Sequence, residues 1–520
     1  MGGEEPGQSA AGAGVGVEDH ENPAHRPLRG VSFAETVGRR RAPLLEKCQV
    51  PARLPARLEP MLPPFNPWLT GAVAADIVAA SRASDAGLAA RRERRLRALL
   101  EAASGSPMYR GLPAVGDAAG AVLANLPIVR KPELMRRFDD WVADPAIRLD
   151  ALHRFVADPA NIGAPFLDRY VVWESSGSSG EPAVFVQDAA AMATYDALEA
   201  IRRPHLRPLD RLFDPWGVAE RMVFVGAVGG HFASTVSIER LRRLNPLLSS
   251  RLRSVSFLQP IGDLVAELHQ HAPTVVATYP SVAVLLAEEC LAGRLQIAPK
   301  EIWTGGETLS PTMRSFVRRA FDCPVVNSYG SSEFLSLASE CAHGSMHFNS
   351  DWAILEPVDA KGRPMPSGTA GTTTLLTNLA NHVQPLIRYD IGDRVTLRPD
   401  ACACGGRLPV LEIEGRCDDM LELGPARGRR VRVLPLALST VLEDEAGLFD
   451  FQLVQKGTSE LELCTGESGG AADAALRRGR TALAGFLSLQ GADRVRIRCR
   501  SGRPPLRGRT GKVKRVIARM

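Results

Sequence analysis

The chain has 520 residues, 45% of them hydrophobic and 23% charged, with 63 lysines and arginines against 58 acidic residues and a net charge of +5. This describes an ordinary globular protein of two to four domains, too weakly basic to point to nucleic acid although compatible with anionic ligands such as nucleotides. No apolar run reaches the ~18 residues of a membrane span, and the start lacks the basic-then-apolar pattern of a secretory signal. Nine cysteines, unevenly spread, argue for reduced thiols in the cytoplasm rather than a disulfide framework.

Residues 1–58 are rich in Gly, Ala, Pro, Glu and Arg without a steady period, which predicts a disordered or loosely attached leader. GAGVG at 12–16 follows no strand and is no dinucleotide fingerprint. From about 70 to 103 Ala, Leu and Arg recur in a helical pattern that Gly105 and Pro107 stop. Strand-like runs follow at 171–173, 183–187, 221–228, 274–279 and 301–303. Helical stretches separate them at 194–203, 262–272, 281–293 and 311–321. This alternation predicts an α/β core with a largely parallel sheet. Beyond about 350 the pattern becomes strand-rich (TTTLLT, DRVTLR, PVLEIEG). The last hundred residues read as a small α/β unit: LALSTVLEDEA, FQLVQ, LELC, DAALRRGRTALAGFL and RVRIRC.

Between the first two strands lies WESSGSSGEP, residues 173–182. Glycines let backbone approach a ligand closely, serine hydroxyls donate to phosphate oxygens, and successive backbone N–H groups form an anion nest. The Walker pattern is absent, so this is a phosphate loop of another kind or a flexible linker. Four further stretches follow: YGSSE at 329–333, RYDIGD at 388–393, GRCDD at 415–419 and GRTGK at 508–512. With NLPIVRKPELMRRF at 125–138, GGHFAS at 229–234 and WTGGETLS at 303–310, their order resembles the adenylate-forming superfamily of acyl-CoA ligases, most closely its phenylacetate–CoA ligase branch. The resemblance runs from roughly residue 90 to the end.

The resemblance implies a large N-terminal domain of α/β layers with a β-rich subdomain (59–415) and a small, mobile C-terminal α/β domain (416–520). It implies ATP-driven activation of a carboxylic acid, aryl or arylacetic, to an acyl adenylate, then transfer to coenzyme A. Ser175, Ser176, Gly177, Ser178, Ser179 and Gly180 match the loop on the β- and γ-phosphates. Glu333 matches the Mg²⁺ carboxylate. Tyr329, with Gly330, Ser331 and Ser332, matches the adenine segment, and Gly305, Gly306 and Glu307 the segment beside adenine and acyl pocket. Asp393 matches the ribose carboxylate, with Arg416 next to it. Lys512 matches the lysine bridging carboxylate and α-phosphate, Asp418 the hinge, and His231 a residue at the acyl pocket. Singly each has a plainer role: Glu333 as a solvated loop acid, Asp393 as a turn cap, Lys512 as one lysine of a basic tail where Lys514 competes, Asp418 as a surface turn residue, His231 as a packed histidine. Their joint order is what speaks for the site.

Cys341 and His347, with Cys402 and Cys404, offer three thiols and an imidazole, a donor set that suits tetrahedral zinc in a structural role. Some members of the resembled branch carry such a set; His343 is the rival ligand, and three unrelated buried cysteines the alternative. Two departures stand out. Glu181 replaces the usual loop lysine, and Arg427, Arg429, Arg430 and Arg432 make the stretch after the hinge basic. That stretch suits the phosphates of coenzyme A, an acidic carrier protein, or plain solvent. Acyl transfer to a carrier protein or an amine is therefore the first alternative. A non-catalytic ligand-binding protein on the same scaffold is the second, although Glu333, Asp393 and Lys512 are all retained. A nucleic-acid binder has only the basic tail in its favour. The oligomeric state is open, a homodimer included.

Overall fold

The computed structural model describes residues 62–112, 119–175, 182–203, 220–398, 400–414, 421–424, 430–448, 451–504 and 515–518. The chain divides into a unit Met1–Leu58, where the expected leader falls and which lies outside the described residues, and a unit Glu59–Met520.

The single helix expected over 70–103 is two helices, α1 (Pro67–Ala80) and α2 (Asp85–Ala103). Ser84 takes extended backbone, and its hydroxyl accepts from the Gly87 N–H at 3.2 Å. That N-cap restarts the helix within an otherwise continuous pattern. Short helices α3 (Lys131–Arg136) and α4 (Leu149–Val156) lead to an antiparallel hairpin of β1 (Val171–Glu174) and β2 (Val184–Gln187). Helix α5 (Ala189–Arg202) follows, capped by Asp188.

The core then alternates: β3 (Met222–Gly226), α6 (Ala233–Leu244), β4 (Leu252–Ser256), α7 (Ile261–His271), β5 (Val275–Thr278), α8 (Pro280–Leu291), β6 (Glu301–Thr304), α9 (Pro311–Phe321) and β7 (Val325–Ser331). These strands pair in parallel in the order β4-β3-β5-β6-β7. After Ser331 the chain reverses directly into β8 (Phe334–Glu340) and β9 (Met346–Phe348). A three-stranded sheet of β10 (Ala353–Val358), β11 (Thr373–Asn378) and β12 (Tyr389–Asp390) comes next, then β13 (Arg394–Arg398) and β14 (Val410–Glu414), which close the far edge of the main sheet. The main sheet thus has nine strands, order β13-β14-β9-β8-β7-β6-β5-β3-β4. It is mixed rather than largely parallel, because a tight reversal at 332–333 replaces a crossover helix and can only yield an antiparallel neighbour.

The C-terminal elements are a β15 (Leu421–Leu423) and β16 (Val431–Val433) hairpin, α10 (Pro435–Asp444), β17 (Gln452–Gly457), β18 (Glu460–Cys464), α11 (Gly470–Leu489), β19 (Arg496–Arg500) and β20 (Val516–Ile517), with sheet order β19-β18-β17-β20. Leu438, Leu453 and Leu483 share one apolar cluster with Val223, Val276 and Ile302 of the parallel strands. Gln490 donates to the Leu258 carbonyl at 2.7 Å, and Arg432 pairs with Glu288. Near β9, the buried Asp351 receives both Arg202 Nη1 and Nη2 at 2.7 Å, while Arg95 stacks on Trp352, 3.4 Å from the ring centre. These contacts tie α2 and α5 to the segment after β9. No helix among the described residues is long and apolar enough to cross a membrane.

Candidate active site

Parallel strands β5, β6 and β7 end at Thr278, Thr304 and Ser331, and the residues that follow line one end of the sheet. Carboxyl ends of parallel strands are where α/β folds place their ligands, because loops of independent sequence converge there on a rigid base. Gly305 and Gly306 follow β6. Gly306 has φ +77°, and a Cβ on it would come within 3.0 Å of the Tyr279 ring. The Glu307 carboxylate accepts from the Ser281 N–H at 2.9 Å and its hydroxyl at 3.0 Å, so it sits on the N-terminal turn of α8. Glu307 thereby fixes the glycine loop to the neighbouring element, a stabilising place for an anion.

Tyr329, Gly330, Ser331, Ser332 and Glu333 form the reversal from β7 to β8. A Cβ on Gly330 would lie 1.8 Å from the Leu335 carbonyl oxygen, so only glycine fits. Two residues from elsewhere hold the turn's backbone. Trp173 Nε1 donates to the Ser332 carbonyl at 2.8 Å, and Asn378 Nδ2 donates to the Glu333 carbonyl at 2.9 Å. Desolvation pushes the Glu333 carboxyl above its ordinary range, and the Lys131 cation acts against that shift. Tyr329 donates its hydroxyl to Asp393 Oδ2 at 2.9 Å, so aromatic ring and carboxylate form one wall. The turn cap of RYDIGD is Asp390, which accepts from the Gly392 N–H at 3.0 Å and the Thr373 hydroxyl at 2.5 Å. Asp393 is spared that duty.

Trp173 also connects this turn to the serine-rich loop, whose hairpin stem it belongs to. Ser175 N donates to the Ala183 carbonyl at 2.8 Å, and Ala183 N donates to the Ser175 hydroxyl at 2.9 Å, which closes the loop at its base. Ser176, Gly177, Ser178, Ser179, Gly180 and Glu181 lie outside the described residues, as do Arg416, Asp418, Arg427, Arg429, Lys512 and Lys514. The Glu174 N–H donates to the His231 carbonyl at 2.7 Å, which places GGHFAS beside that base. The His231 side chain is 1% exposed and packs 5.8 Å from the Phe155 ring; burial holds its imidazole below the ordinary range.

Lys131 is a residue that sequence reasoning passed over. It opens α3, is buried, and faces Glu333; burial lowers its pKa, while Glu333 acts against that. A cation at a helix N-terminus works against the helix dipole, and that misplacement was the available signal. Arg515 and Glu443 of the C-terminal elements form an ion pair close enough to act on Lys131. The backbone three residues beyond Lys512 therefore lies near the same centre. Asn378 and Trp173, buried residues that act through backbone carbonyls, left no sequence signal.

Comparison with known proteins agrees with this geometry. A family model described as AMP-binding enzyme matches residues 252–372, from β4 through the glycine loop and Glu333 almost to β11. The phenylacetate-coenzyme A ligase of Thermus thermophilus is 33% identical over 182 residues, 33% of this chain and 39% of that protein. Over these residues the chain is similar to adenylate-forming enzymes. Protein CapK of Staphylococcus aureus is 28% identical over 260 residues, 48% of this chain and 53% of its own. The matches to these curated relatives span about half of their length or less. Among solved structures, 2-hydroxyisobutyryl-CoA ligase in complex with 2-HIB-AMP and CoA shares the fold, with TM-score 0.52 and 21% identity over 84% of this chain and 91% of that one.

A second cluster of polar side chains lies away from this end of the sheet. Cys341, His347, Cys402 and Cys404 bring their ligand atoms within 4.8 Å of one another. Cys341 and Cys402 sulfurs are 3.8 Å apart, and Cys404 Sγ is 3.2 Å from His347 Nε2. Zinc–sulfur bonds of ~2.3 Å in a tetrahedron imply sulfurs ~3.8 Å apart, so the set fits the ion. His347 Nδ1 lies 2.8 Å from the Leu408 carbonyl, which turns Nε2 toward the thiols. His343, exposed on the turn, is not part of the set. Hydrogen bonds from the Cys404 backbone and Ser345 bring the Cys402 thiol down to about 6.

Proposed function

We propose that the chain activates a carboxylic acid with ATP, releasing pyrophosphate and forming an acyl adenylate, and then passes the acyl group to the thiol of coenzyme A with release of AMP. The observation that carries this reading is the convergence of Glu333, Lys131 and the Tyr329–Asp393 pair with the base of the serine-rich loop at one end of the sheet. In this reading Ser175–Gly180 hold the β- and γ-phosphates, the Tyr329 ring lies against adenine and Asp393 accepts the ribose hydroxyls. A hard cation such as Mg²⁺ would be held by Glu333 together with triphosphate oxygens, where it would neutralise charge on the departing pyrophosphate. A single buried carboxylate fits that ion, which keeps its remaining sites for water and phosphate. Lys131 places a positive charge across from Glu333, and Lys512 meets the reacting carboxylate and α-phosphate.

The name of one relative, a phenylacetate-coenzyme A ligase, favours an aryl or arylacetic acid and coenzyme A as acceptor. The basic stretch after the hinge supports the acceptor less than its composition suggests, since Arg430 lies 3.4 Å from Glu422 and Arg432 pairs with Glu288. Zinc at the cysteine and histidine set is structural in this reading. Acid-dependent ATP–pyrophosphate exchange with Mg²⁺ across aryl, arylacetic and fatty acids is the test. Exchange with one class, lost in Lys512→Ala, is expected; exchange with none of them counts against activation. Offering coenzyme A, a carrier protein and amines to the pre-formed adenylate separates the acceptors.

The rotation of the C-terminal domain about Asp418 gives a further expectation. A proline there restricts the backbone that must turn. Asp418→Pro should keep exchange within about threefold and lower thioester formation by about 10²-fold or more. Equal loss in both half-reactions would remove the hinge role.

A further inference from the structure

Resting on the activation reading, we propose that Phe224 and Tyr279 are specificity-determining residues: together they close the acyl side of the site and confine it to short aryl acids. The strand order fixes which side that is. In the sequence β4-β3-β5-β6-β7, Tyr329 lies on β7 and the glycine loop follows β6. An acyl adenylate carries its base and its acyl group on opposite sides of the phosphate. With adenine against Tyr329, the acyl group lies across the glycine loop, over the ends of β5 and β3. The segment GGHFAS, expected at the acyl pocket, is fastened there: the Thr235 hydroxyl donates to the Ala227 carbonyl at 2.7 Å, one residue beyond β3.

An aromatic barrier stands at that place. Phe224 and Gly226 share one face of β3, and a Cβ on Gly226 would overlap the Phe224 ring, so the ring lies folded over the glycine. Glycine within a strand weakens it and marks such a close approach. The Tyr279 ring meets the Phe224 ring edge-on with centroids 6.2 Å apart, and meets the Phe257 ring in the same way at 5.9 Å. Tyr279 also underlies the glycine loop, since its ring is what a Cβ on Gly306 would touch. Phe224 is buried, and Tyr279 is half-buried at the rim. Past the two rings the same sheet face is low. Ala277 stands opposite Phe224 in the register, and Trp303 opposite Ala277. Ala277 is small and not fully buried. An acid thus extends from the glycine loop only as far as the Phe224 and Tyr279 rings, whereas removal of the Phe224 ring would open a path over Gly226 and Ala277. A flat aryl group suits such a barrier, because aromatic edges and faces pack well against one another.

The test measures acid-dependent pyrophosphate exchange by full-length wild type, Phe224→Ala and the milder Phe224→Leu. The acids are phenylacetic, phenylbutyric, phenylhexanoic and octanoic acid, at saturating ATP and Mg²⁺. Wild type should prefer phenylacetic to phenylhexanoic acid. One methylene in an apolar pocket changes discrimination by about tenfold or more. Phe224→Ala should therefore raise kcat/KM for phenylhexanoic relative to phenylacetic acid by about 10–100-fold, and Phe224→Leu by about threefold or more in the same direction. Half-saturating ATP should stay within about twofold, because the Tyr329 wall is untouched. A ring that only fills the core would lower the thermal midpoint and all rates in proportion and leave the ratio fixed, which overturns the proposal. A wild type that uses the aryl acids equally also overturns it. Exchange with octanoic acid and with no aryl acid overturns it while the activation reading stands. Absence of exchange with every acid, in wild type and variants alike, overturns it together with the activation reading.

Discussion

Glu333→Gln is expected to lower acid-dependent pyrophosphate exchange by about 10²–10³-fold at saturating ATP while leaving the fold intact. The substitution keeps size and shape. What it removes is the negative charge that a hard cation needs. That charge is held at a cost: desolvation pushes the Glu333 carboxyl upward even with Lys131 opposite. A neutral isostere relieves the cost, so the thermal midpoint should equal or exceed that of wild type. The backbone bonds to Trp173 and Asn378 involve carbonyls, and the substitution does not touch them. Exchange rates across Mg²⁺ concentration, beside a melting curve, make the measurement. Loss of exchange with loss of fold would indicate a structural acid, and exchange within tenfold of wild type would refute the cation role.

The second large effect concerns the sulfur centre. Purified protein should carry one equivalent of zinc, and Cys341→Ser or strong chelation should remove it and lower the thermal midpoint by about 5–10 °C. The reason lies in what the set connects. Cys341 follows β8, His347 lies within β9, and Cys402 and Cys404 precede β14, so one ion would tie the antiparallel half of the main sheet together. Glu333 sits at the opposite end of β8 from Cys341. Release of the ion should therefore disturb the candidate site through the strand as well as the fold. Metal analysis with calorimetry decides the point: less than about half an equivalent of zinc in native protein, or an unchanged midpoint after its removal, would leave four unligated side chains and no structural ion.

Much of this protein was legible in its order of residues. The alternation of apolar strands with amphipathic helices from 221 to 321 has two distinct periods, and local patterning of that kind survives without tertiary information. The motifs around Gly305, Gly330 and Asp393 were legible for a related reason: turns and close approaches demand particular residues, as Gly330 shows against the Leu335 carbonyl. The four residues of the candidate metal set could be named, because thiols and imidazole are the donors that a tetrahedral site takes. The choice of His347 over His343 needed the β9 backbone to aim the ring.

Tertiary structure alone decided the rest. The break between α1 and α2 hung on one serine cap, a small local effect inside a strong helical pattern. The mixed sheet hung on a two-residue reversal within the YGSSE stretch, which does not look like a turn. Lys131, Trp173 and Asn378 act across separations of roughly 45 to 200 residues, through single hydrogen bonds or opposed charges that leave no periodic trace in sequence. The sequence by itself named the candidate residues for the chemistry, since chemistry demands residue types. Only the folded chain decided which buried neighbours aim them, since aim depends on distances that composition and spacing do not encode.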